Sequence, residues 1–274
     1  MRIGVDLGAT NIRAGIVEAG VIYQMITEPF PHDKPEKDTI KCLIGAIRKI
    51  MNSNIKGIGI GVPSIVDTRH GIVYNTVNIP SWKEVHLKEI LEHEFRVPVK
   101  VNNDCNCFTF GERYYGEATI YHNIVGVTLG TGLGAGIIIN NMLYEGMNTS
   151  AGEIGSLPYL DSDYENYCAS NFFDKYKTTG YNLYLRAKDG EQEALSVWGI
   201  FGYHVGNLIK AILLTYDPEA IVIGGSIAKA RHYFDKAMYK QLSTFLYPHM
   251  IKNVEILFSK KEDIGLLGAA ALIP

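Results

Sequence analysis

The chain has 274 residues, of which 47% are hydrophobic and 20% are charged, and its formal net charge is −3. This length fits one large domain or two modest ones, and the composition is typical of a soluble globular protein. No basic block is present, which argues against a nucleic acid as partner. No apolar run approaches the ~20 residues of a membrane span, and a strand pattern begins directly after Met1. We therefore expect no membrane partner, no signal peptide and no appended N-terminal DNA-binding module.

The four cysteines, Cys42, Cys105, Cys107 and Cys168, form neither a CxxC pair nor a disulfide-scaffold pattern. Free thiols are expected, and with them a cytoplasmic location. Cys105 and Cys107 could be a fragment of a metal site, but two ligands do not make a structural zinc site. Residues two apart on a helix also point to different sides. Buried, unreactive cysteines are the favoured interpretation.

The first half of the chain is predicted to begin with three strands. Further along, apolar residues between Asp38 and Asn52 recur at helical spacing, and an apolar run from Gly57 ends at Pro63. The predicted elements are a hairpin of strands 2–8 and 12–19, strand 21–27, helix 38–52, strand 57–63, strand 71–74, helix 86–94 and strand 97–101. This β-β-β-α-β-α-β order predicts a mixed α/β layer.

The second half repeats much of that order. A long helix over 191–215 carries apolar residues on a spaced face, and Asp217-Pro218 ends it. The predicted elements are helix 105–118, strands 123–129 and 135–139, an irregular then helical stretch over 159–182, helix 191–215, strands 221–223 and 254–259, and helix 265–272. The repeated order suggests a duplicated fold.

A Gly/Thr turn, Asp6-Leu7-Gly8-Ala9-Thr10, joins the first two strands. Gly8 can adopt a positive φ and lets the turn approach a ligand closely. Thr10 and the turn amides can donate hydrogen bonds to phosphate oxygens. Asp6 could hold a hydrated Mg²⁺, because magnesium favours one or two carboxylates together with phosphate oxygens. A hairpin whose glycines only satisfy the turn geometry is an equal alternative.

A second glycine turn, Gly130-Thr131-Gly132-Leu133-Gly134, lies between two apolar strand patterns. A hairpin needs only one or two glycines, and extra glycines weaken a fold unless something needs the bare backbone. The turn matches neither the P-loop motif nor the dinucleotide-binding motif. Two such turns in one chain suggest a phosphate chain held between two halves, and hence phosphoryl transfer.

A polar segment, Asn102-Asn103-Asp104, ends the buried strand that begins at Val97. The carboxyl ends of strands are where α/β sheets bind ligands. An aspartate there can take a proton from a substrate hydroxyl as it attacks the γ-phosphate. Asp104 could equally cap a helix N-terminus, and the two roles do not exclude each other.

Two further motifs are less specific. Gly152-Glu153-Ile154-Gly155 places a carboxylate between two glycines, which a surface turn would also explain. Gly224-Gly225-Ser226 follows a strand and could cradle a nucleotide, but a strand-to-helix turn explains it equally well.

Together these residues resemble the motifs of the ROK family of sugar kinases and repressors, within the actin-like, hexokinase-type ATPase superfamily. The resemblance covers nearly the whole chain. Its motifs are Asp6–Thr10, Gly61–Pro63, Asn78–Trp82, Asn103-Asp104 with Gly111-Glu112, Leu129–Gly134, Ala151–Gly155 and Pro218–Gly225. It implies an α/β fold of two actin-like (ribonuclease H-like) domains with mixed β-sheets and a cleft between them. The domains would span 1–103 and 104–261, with a C-terminal helix at about 262–274 packed on the first.

The resemblance also implies a role for each site residue. Asp104 would be the general base on the sugar hydroxyl. The implied sugar contacts are Ser64, Asn78, Asn103, Glu153 and Glu165, the last because residues 165–170 are similar to the segment that follows the family's second sugar-binding glutamate. The implied ATP contacts are Asp6, Gly8, Thr10, Gly130, Thr131 and Gly132 at the phosphates, and Gly224 and Gly225 near the adenosine.

Two departures from the family pattern concern the sugar and zinc sites. Many members carry a histidine that binds both sugar and zinc where this chain has Ser156. Those members then have a Cys-x-Cys-Gly-x-x-Gly-Cys zinc loop, whereas 157–164 is short here and holds no cysteine, and Cys168 falls beyond it. We predict no structural zinc, and the identity of the sugar stays open.

The resulting expectation is an ATP- and Mg²⁺-dependent kinase of a hexose or hexose derivative, acting in the cytoplasm as a homodimer. Glucose, fructose, allose, mannose and N-acetylated hexosamines are all compatible with it. A sugar-binding transcriptional regulator of the same family, an inactive sugar- or nucleotide-binding homologue and an actin-like ATPase scaffold are the alternatives.

Overall fold

The computed structural model describes residues 1–8, 10–76 and 78–274. The strands are β1 (Arg2–Leu7), β2 (Asn11–Glu18), β3 (Val21–Pro29), β4 (Ile58–Val62), β5 (Ile65–Asp67), β6 (Ile72–Tyr74), β7 (Glu84–Val85), β8 (Val99–Asn103), β9 (Ile124–Leu129), β10 (Leu133–Ile139), β11 (Met142–Leu143), β12 (Pro158–Tyr159), β13 (Ser162–Asp163), β14 (Ala220–Gly224) and β15 (Glu255–Phe258). The α-helices are α1 (Glu36–Arg48), α2 (Leu87–Phe95), α3 (Asp104–Tyr115), α4 (Glu165–Cys168), α5 (Gly180–Lys188), α6 (Gln192–Tyr216), α7 (Arg231–Leu242), α8 (Pro248–Asn253) and α9 (Ile264–Ala271).

Two five-stranded sheets have the same topology. The first has the order β3-β2-β1-β4-β8 and the second the order β11-β10-β9-β14-β15. In each sheet the first three strands are antiparallel neighbours and the last two add in parallel. The mixed α/β fold with a duplicated half is therefore confirmed. β5, β6 and β7 form a small separate sheet, and β12 pairs with β13 in a short hairpin.

The helix that follows each sheet packs on the other sheet. α3 follows β8 of the first sheet but packs on β9 and β10, whereas α9 follows β15 of the second sheet but packs on β1, β2 and β4. The two helices also pack on each other so closely that glycines are required. A Cβ on Gly268 of α9 would lie 1.8 Å from the Cys107 carbonyl oxygen of α3, and one on Gly111 of α3 would lie 2.2 Å from the Ile264 carbonyl oxygen of α9. This crossed pair joins the halves and brings both helix N-termini to the cleft.

The long helix α6 forms the core of the second half. By length and composition alone it could cross a membrane, and it is the one helix of the described residues for which this is true. However, 61% of its apolar window is buried inside the fold. Trp198 and Phe201 of α6 lie against Phe173 and Phe234 in an aromatic cluster. The core therefore accounts for the apolar character of α6.

Several predicted boundaries were wrong by a few residues. The helix expected at 38–52 ends at Arg48, and the strand expected at 97–101 begins at Val99. The preceding Pro98 has no N–H to donate to a neighbouring strand. Helices α7 and α8 were not predicted at all. The buried residues of α7 form a narrow stripe, Phe234, Met238 and Leu242, with polar residues between them.

Candidate active site

A cleft of about 1520 Å³ lies between the two sheets. It is lined by the predicted site residues Asp6, Gly8, Ser64, Asn78, Asn103, Asp104, Gly130, Thr131, Gly132, Glu153, Glu165, Gly224 and Gly225. Thr10 is not among the residues that line it: its side chain is exposed and accepts a hydrogen bond from Asn11 Nδ2 at 3.1 Å. Ala9 of the same motif lies outside the described residues. Two motifs some 120 residues apart in the chain thus face one cavity.

Asp104 is the first residue of α3, where β8 ends. The helix is capped by Asn103, whose Oδ1 accepts hydrogen bonds from the backbone N–H groups of Cys105 at 2.8 Å and Asn106 at 3.2 Å. The capping role that we considered for Asp104 therefore falls mainly on Asn103, and Asp104 Oδ1 receives only the Cys105 N–H, at 2.9 Å. The rest of its carboxylate is available to the cleft.

Burial raises the pKa of Asp104 to about 6, and the nearby negative charge of Asp6 adds to the increase. No ion pair of the described residues includes Asp104. A carboxylate whose pKa lies just below neutral pH is ionised at pH 7, yet is more basic than an exposed aspartate. A carboxylate with such a pKa can accept a proton at neutral pH.

Asp6 lies in a charged network that sequence analysis did not predict. Asp6 and Arg13 are directly opposite in the β1–β2 ladder, so their side chains share a face, and the Arg13 guanidinium donates to Asp6 Oδ2. Arg13 also donates to Asp263 Oδ1 at 2.6 Å. The hairpin register could have revealed the first contact. Asp263 is distant in sequence and gave no signal.

The donor set at Asp6 fits a hydrated magnesium ion. One carboxylate oxygen is bound to Arg13, and Asp104 provides a second negative charge nearby. Magnesium needs only one or two carboxylates when phosphate oxygens and water complete its shell.

The glycines of the second turn have two separate uses. A Cβ on Gly134 would lie 2.3 Å from Cys105 Sγ, so this glycine lets α3 pack on the sheet. A Cβ on Gly132 would lie 2.8 Å from Glu165 Oε2, whereas one on Gly130 would meet nothing closer than 4.0 Å. No glycine of this turn has a positive φ, and neither does Gly8, for which we had considered one. Part of the pattern that indicated phosphate binding is therefore helix packing.

The second turn is braced from the outside by residues 165–170. The Ser170 N–H donates to the Gly130 carbonyl oxygen at 3.0 Å, and the Ser170 hydroxyl donates to the Thr131 carbonyl oxygen at 2.7 Å. Glu165 Oε2 accepts the Leu133 N–H at 3.0 Å. The glutamate predicted to contact the sugar thus also supports the phosphate turn.

The remaining predicted sugar contacts lie around Asp104. Asn103 Nδ2 donates to the Ser64 carbonyl at 3.2 Å, and the Ser64 hydroxyl donates to the Tyr74 carbonyl. Glu153 is partly exposed at the cleft, and partial burial together with the charge of Glu165 raises its pKa. Amide donors and carboxylate acceptors therefore line the same cleft as Asp104.

The predicted adenosine side is formed by Gly224, Gly225 and two residues that the sequence did not single out. Gly225 has φ +90°, and a Cβ there would lie 2.2 Å from the Leu129 carbonyl oxygen. The Arg231 guanidinium stacks over the Phe258 ring at 5.0 Å, and both line the cleft. This wall combines a flat face with a positive charge.

Ser156 and the short segment after it have regular secondary structure and are not among the residues that line the cleft. Ser156 ends a one-turn 3₁₀ helix, 154–156, and residues 157–164 contain the β12–β13 hairpin. Within the described residues no group of three or more His, Cys, Asp or Glu side chains is placed to hold a metal ion.

Comparison with known proteins agrees with this geometry. The model of the ROK family matches residues 2–274. The glucokinase of Streptomyces coelicolor is 36% identical, over 99% of this chain and 97% of that protein. The xylose repressor of Bacillus spizizenii is 27% identical over 79% of this chain and 60% of its own length.

A solved ROK family glucokinase from Streptomyces griseus, in complex with glucose and AMPPNP, has the same fold. Its TM-score is 0.86 at 24% identity, over 99% of this chain and 98% of that one. The two-domain actin-like architecture expected from the sequence is therefore confirmed. The chain belongs to the ROK family.

Proposed function

We propose that this protein transfers the γ-phosphoryl group of ATP to a hydroxyl of a hexose or hexose derivative, with Asp104 as general base. That it is an ATP-dependent sugar kinase is supported by its family and by glucokinase relatives that match almost its whole length. The observation that carries the finer proposal is the position of Asp104. It is a half-buried carboxylate with pKa about 6 that lines the same cleft as the two glycine turns and a group of polar side chains.

Asp104 accepts the proton of the attacking hydroxyl. Its pKa allows it to be ionised at neutral pH and yet to take up a proton as the oxygen becomes an alkoxide-like nucleophile. Since its oxygen outside the Cys105 N–H bond is available, the acceptor hydroxyl can approach without breaking the helix cap. The cap of Asn103 keeps the first turn of α3, and hence Asp104, in place.

The two turns hold the phosphates. Gly8, Gly130, Thr131 and Gly132 line the cleft, and Arg13 offers a guanidinium beside Asp6. The N–H groups of Gly8 and Gly130 donate to the Asn11 and Gly132 carbonyls within their own turns, so the backbone donors offered to phosphate would be those of Thr131 and Gly132. Preorganised donors of this kind stabilise charge that develops on a transferring phosphoryl group. Asp6 would hold Mg²⁺ through water, and the ion would add positive charge at the phosphate oxygens.

The acceptor is a polyhydroxylated molecule. Asn78, Asn103, Glu153 and Glu165 line the cleft around Asp104, and closely placed polar groups suit hydroxyl-rich ligands better than apolar ones. Approach of the two halves would exclude water, which otherwise competes as phosphoryl acceptor.

A homodimer in the cytoplasm completes the proposal. It is supported by exposed apolar side chains of the second half: Ile200 and Tyr203 on α6, and Leu157 and Leu160 in the segment whose Tyr159 is bonded to that helix. Exposed apolar groups that gather on one surface are typical of interfaces. The four cysteines are free thiols, which suits a reducing compartment.

A panel of hexoses tested for sugar-dependent ADP release tests the function. Release with at least one sugar, and little without sugar, is the expected result. Sugar-independent ATP hydrolysis would favour an ATPase instead. The similarity to a xylose repressor favours regulation as the second candidate, so retention of DNA in a gel shift without ADP release would support that alternative.

A further inference from the structure

A cluster of aromatic and polar side chains packs beneath Glu165 and has no part in the reaction described above. The cluster consists of Tyr159 on the β12–β13 hairpin, Tyr164 and Tyr167 on either side of Glu165, and His204 and Asn207 on α6. Tyr164 and Tyr167 are each 8% exposed and His204 is 7% exposed. This Tyr159 cluster therefore lies between a rigid core helix and the segment that carries a proposed sugar contact.

The Tyr159 ring contacts two tyrosines that flank Glu165 in the chain, Tyr164 before it and Tyr167 two residues after it. Tyr164 stacks on it with centroids 4.2 Å apart, and Tyr167 meets it edge-on at 5.2 Å. Such ring pairs have preferred geometries and therefore fix the orientation of the backbone that carries them. Glu165 begins the single turn of α4 between these two tyrosines, and a helix this short cannot hold its own orientation.

The Tyr159 hydroxyl is held by two groups of α6. Asn207 Nδ2 donates to it at 2.8 Å, and it lies 3.1 Å from His204 Nδ1. Because the hydroxyl accepts from Asn207, its own proton is free to go to His204 Nδ1, which must then be unprotonated. Burial, together with the charge of Lys175, lowers the pKa of His204 to about 4, so the ring is neutral at pH 7.

The same chain of hydrogen bonds continues to α7. Gln241 Nε2 donates to Asn207 Oδ1 at 2.7 Å, which leaves the Asn207 amide nitrogen to face Tyr159. The donors therefore run in one direction, from Gln241 through Asn207 and Tyr159 to His204. His204 is buried and the other three residues are half-buried, so each polar group depends on its neighbour for a partner and the line has one favoured arrangement.

We propose that Tyr159 is a positioning residue for Glu165: its hydroxyl, held by His204 and Asn207, fixes the hairpin and α4 so that the Glu165 carboxylate faces both the acceptor sugar and the Leu133 N–H. This inference rests on the proposed contact between Glu165 and the sugar. The ring would fix the backbone, the hydroxyl would fix the ring, and sugar affinity would depend on both.

The test compares Tyr159→Phe with Tyr181→Phe, using the panel hexose that gives the fastest ADP release, D-glucose being tried first. Tyr181 is 70% exposed on α5 and serves as the matched control. Loss of the hydroxyl leaves buried His204 and Asn207 groups without a partner. The KM for the hexose should rise about three- to tenfold, while the KM for ATP changes less than twofold. Gln241→Leu, two hydrogen bonds away, should act in the same direction but more weakly.

A double-mutant cycle with Glu165→Gln separates positioning from general stability. If Tyr159 acts through Glu165, the double variant should raise the hexose KM by less than the product of the single effects. An unchanged hexose KM in Tyr159→Phe, equal increases in both KM values, or a fully multiplicative double variant would each overturn the inference.

The failure of the inference can be distinguished from failure of the proposed function. If Glu165→Gln raises the hexose KM and Tyr159→Phe does not, only the positioning role is lost. If Glu165→Gln leaves the hexose KM unchanged, the proposed sugar contact is wrong and the inference fails with it. Thermal unfolding of Tyr159→Phe should show a cooperative transition, which excludes misfolding as the cause of a changed KM.

Discussion

The two halves of the molecule each place an aspartate within one residue of a helix N-terminus and give it different surroundings. Asp104 follows the last strand of the first sheet and begins α3, and Asp263 follows the last strand of the second sheet and precedes α9. Each helix packs on the sheet of the other half, so both N-termini face the cleft. Asp263 is bound to Arg13, whereas half-buried Asp104 has no ion pair among the described residues and has a raised pKa.

The glycine turns differ in a related way. Counted back from each turn, Asp6 opposite Arg13 in the first hairpin corresponds to Thr128 opposite Gly134 in the second. The first turn therefore brings charge to the cleft, and the second brings bare backbone that α3 and Glu165 approach closely. The duplicated fold gives the two halves equivalent positions, and different side chains at those positions give the halves different roles.

Asp104→Asn is the most direct test of the difference between the two aspartates. Removing the base should lower turnover at least about 10²–10⁴-fold, while hexose and ATP binding stay largely intact. Steady-state assays of ADP release would measure turnover, and calorimetry would measure the binding of hexose and ATP. Asp189→Asn, on an exposed helix end outside the cleft, is the control. Near-normal turnover of Asp104→Asn would remove Asp104 from the role of base.

The same variant should be more stable than the parent at neutral pH. Burial favours the protonated form of Asp104, and its folded pKa of about 6 lies above the ordinary 3.8. Ionisation of Asp104 therefore lowers the free energy of unfolding of the parent protein. A shift of roughly two units corresponds to on the order of 2–3 kcal/mol, fully present above about pH 6 and absent below about pH 4. Urea unfolding at pH 4 and at pH 7.5 checks it. Equal stability of variant and parent at pH 7.5 would contradict a strained carboxylate.

The pH dependence of activity sharpens the assignment. Since the carboxylate must be ionised to accept a proton, kcat/KM should fall below about pH 6, by about tenfold at pH 5. A rate profile between pH 4.5 and 8 would measure the inflection. An inflection near pH 4 would mean that Asp104 titrates as an ordinary aspartate.

The fold could be predicted from the sequence further than the site could. The hairpins, the buried strands and the repeated order were all visible in apolar periodicity, which reports which face of an element is buried. The cap at Asn103 and the partnership of Asp6 with Arg13 were within reach of local rules. Asp263 and Tyr159 were not, because each meets its partner only through the packing of elements far apart in the chain.

The glycine pattern also shows what a sequence alone does not reveal. Alternating glycines predicted a phosphate turn, yet Gly134 is required by the sulfur atom of Cys105 and Gly132 by the carboxylate of Glu165. A sequence shows that a side chain is absent. Only the fold shows whether a ligand or a neighbouring helix occupies the space.

Substitutions at Gly132 and Gly130 test whether the two ends of the second turn serve different ligands, the sugar through Glu165 and ATP directly. Gly132→Ala would press on Glu165 Oε2, so we expect the hexose KM to rise several-fold, as a displaced hydrogen-bonding group typically costs about 1 kcal/mol. Gly130→Ala has room for its methyl group within the fold, so any effect should fall on the KM for ATP. Both constants would be measured for both variants. A rise in the hexose KM for Gly130→Ala and in the ATP KM for Gly132→Ala would place the sugar near Gly130 and contradict the proposed placement of the two substrates.

The smallest expected effect is that of Asp263→Asn, the counterpart of Asp104→Asn in the second half. Arg13 would lose the partner at 2.6 Å but keep Asp6, and its side chain is 42% exposed, so the pair is worth no more than about 1 kcal/mol. We expect the KM for ATP to rise at most about fivefold, with turnover reduced less than tenfold. A loss as large as that of Asp104→Asn would mean that both aspartates act on the reacting groups. A loss this small, beside a much larger loss in Asp104→Asn, would show that aspartates at the two helix N-termini of a duplicated fold can serve as the base in one half and as an anchor in the other.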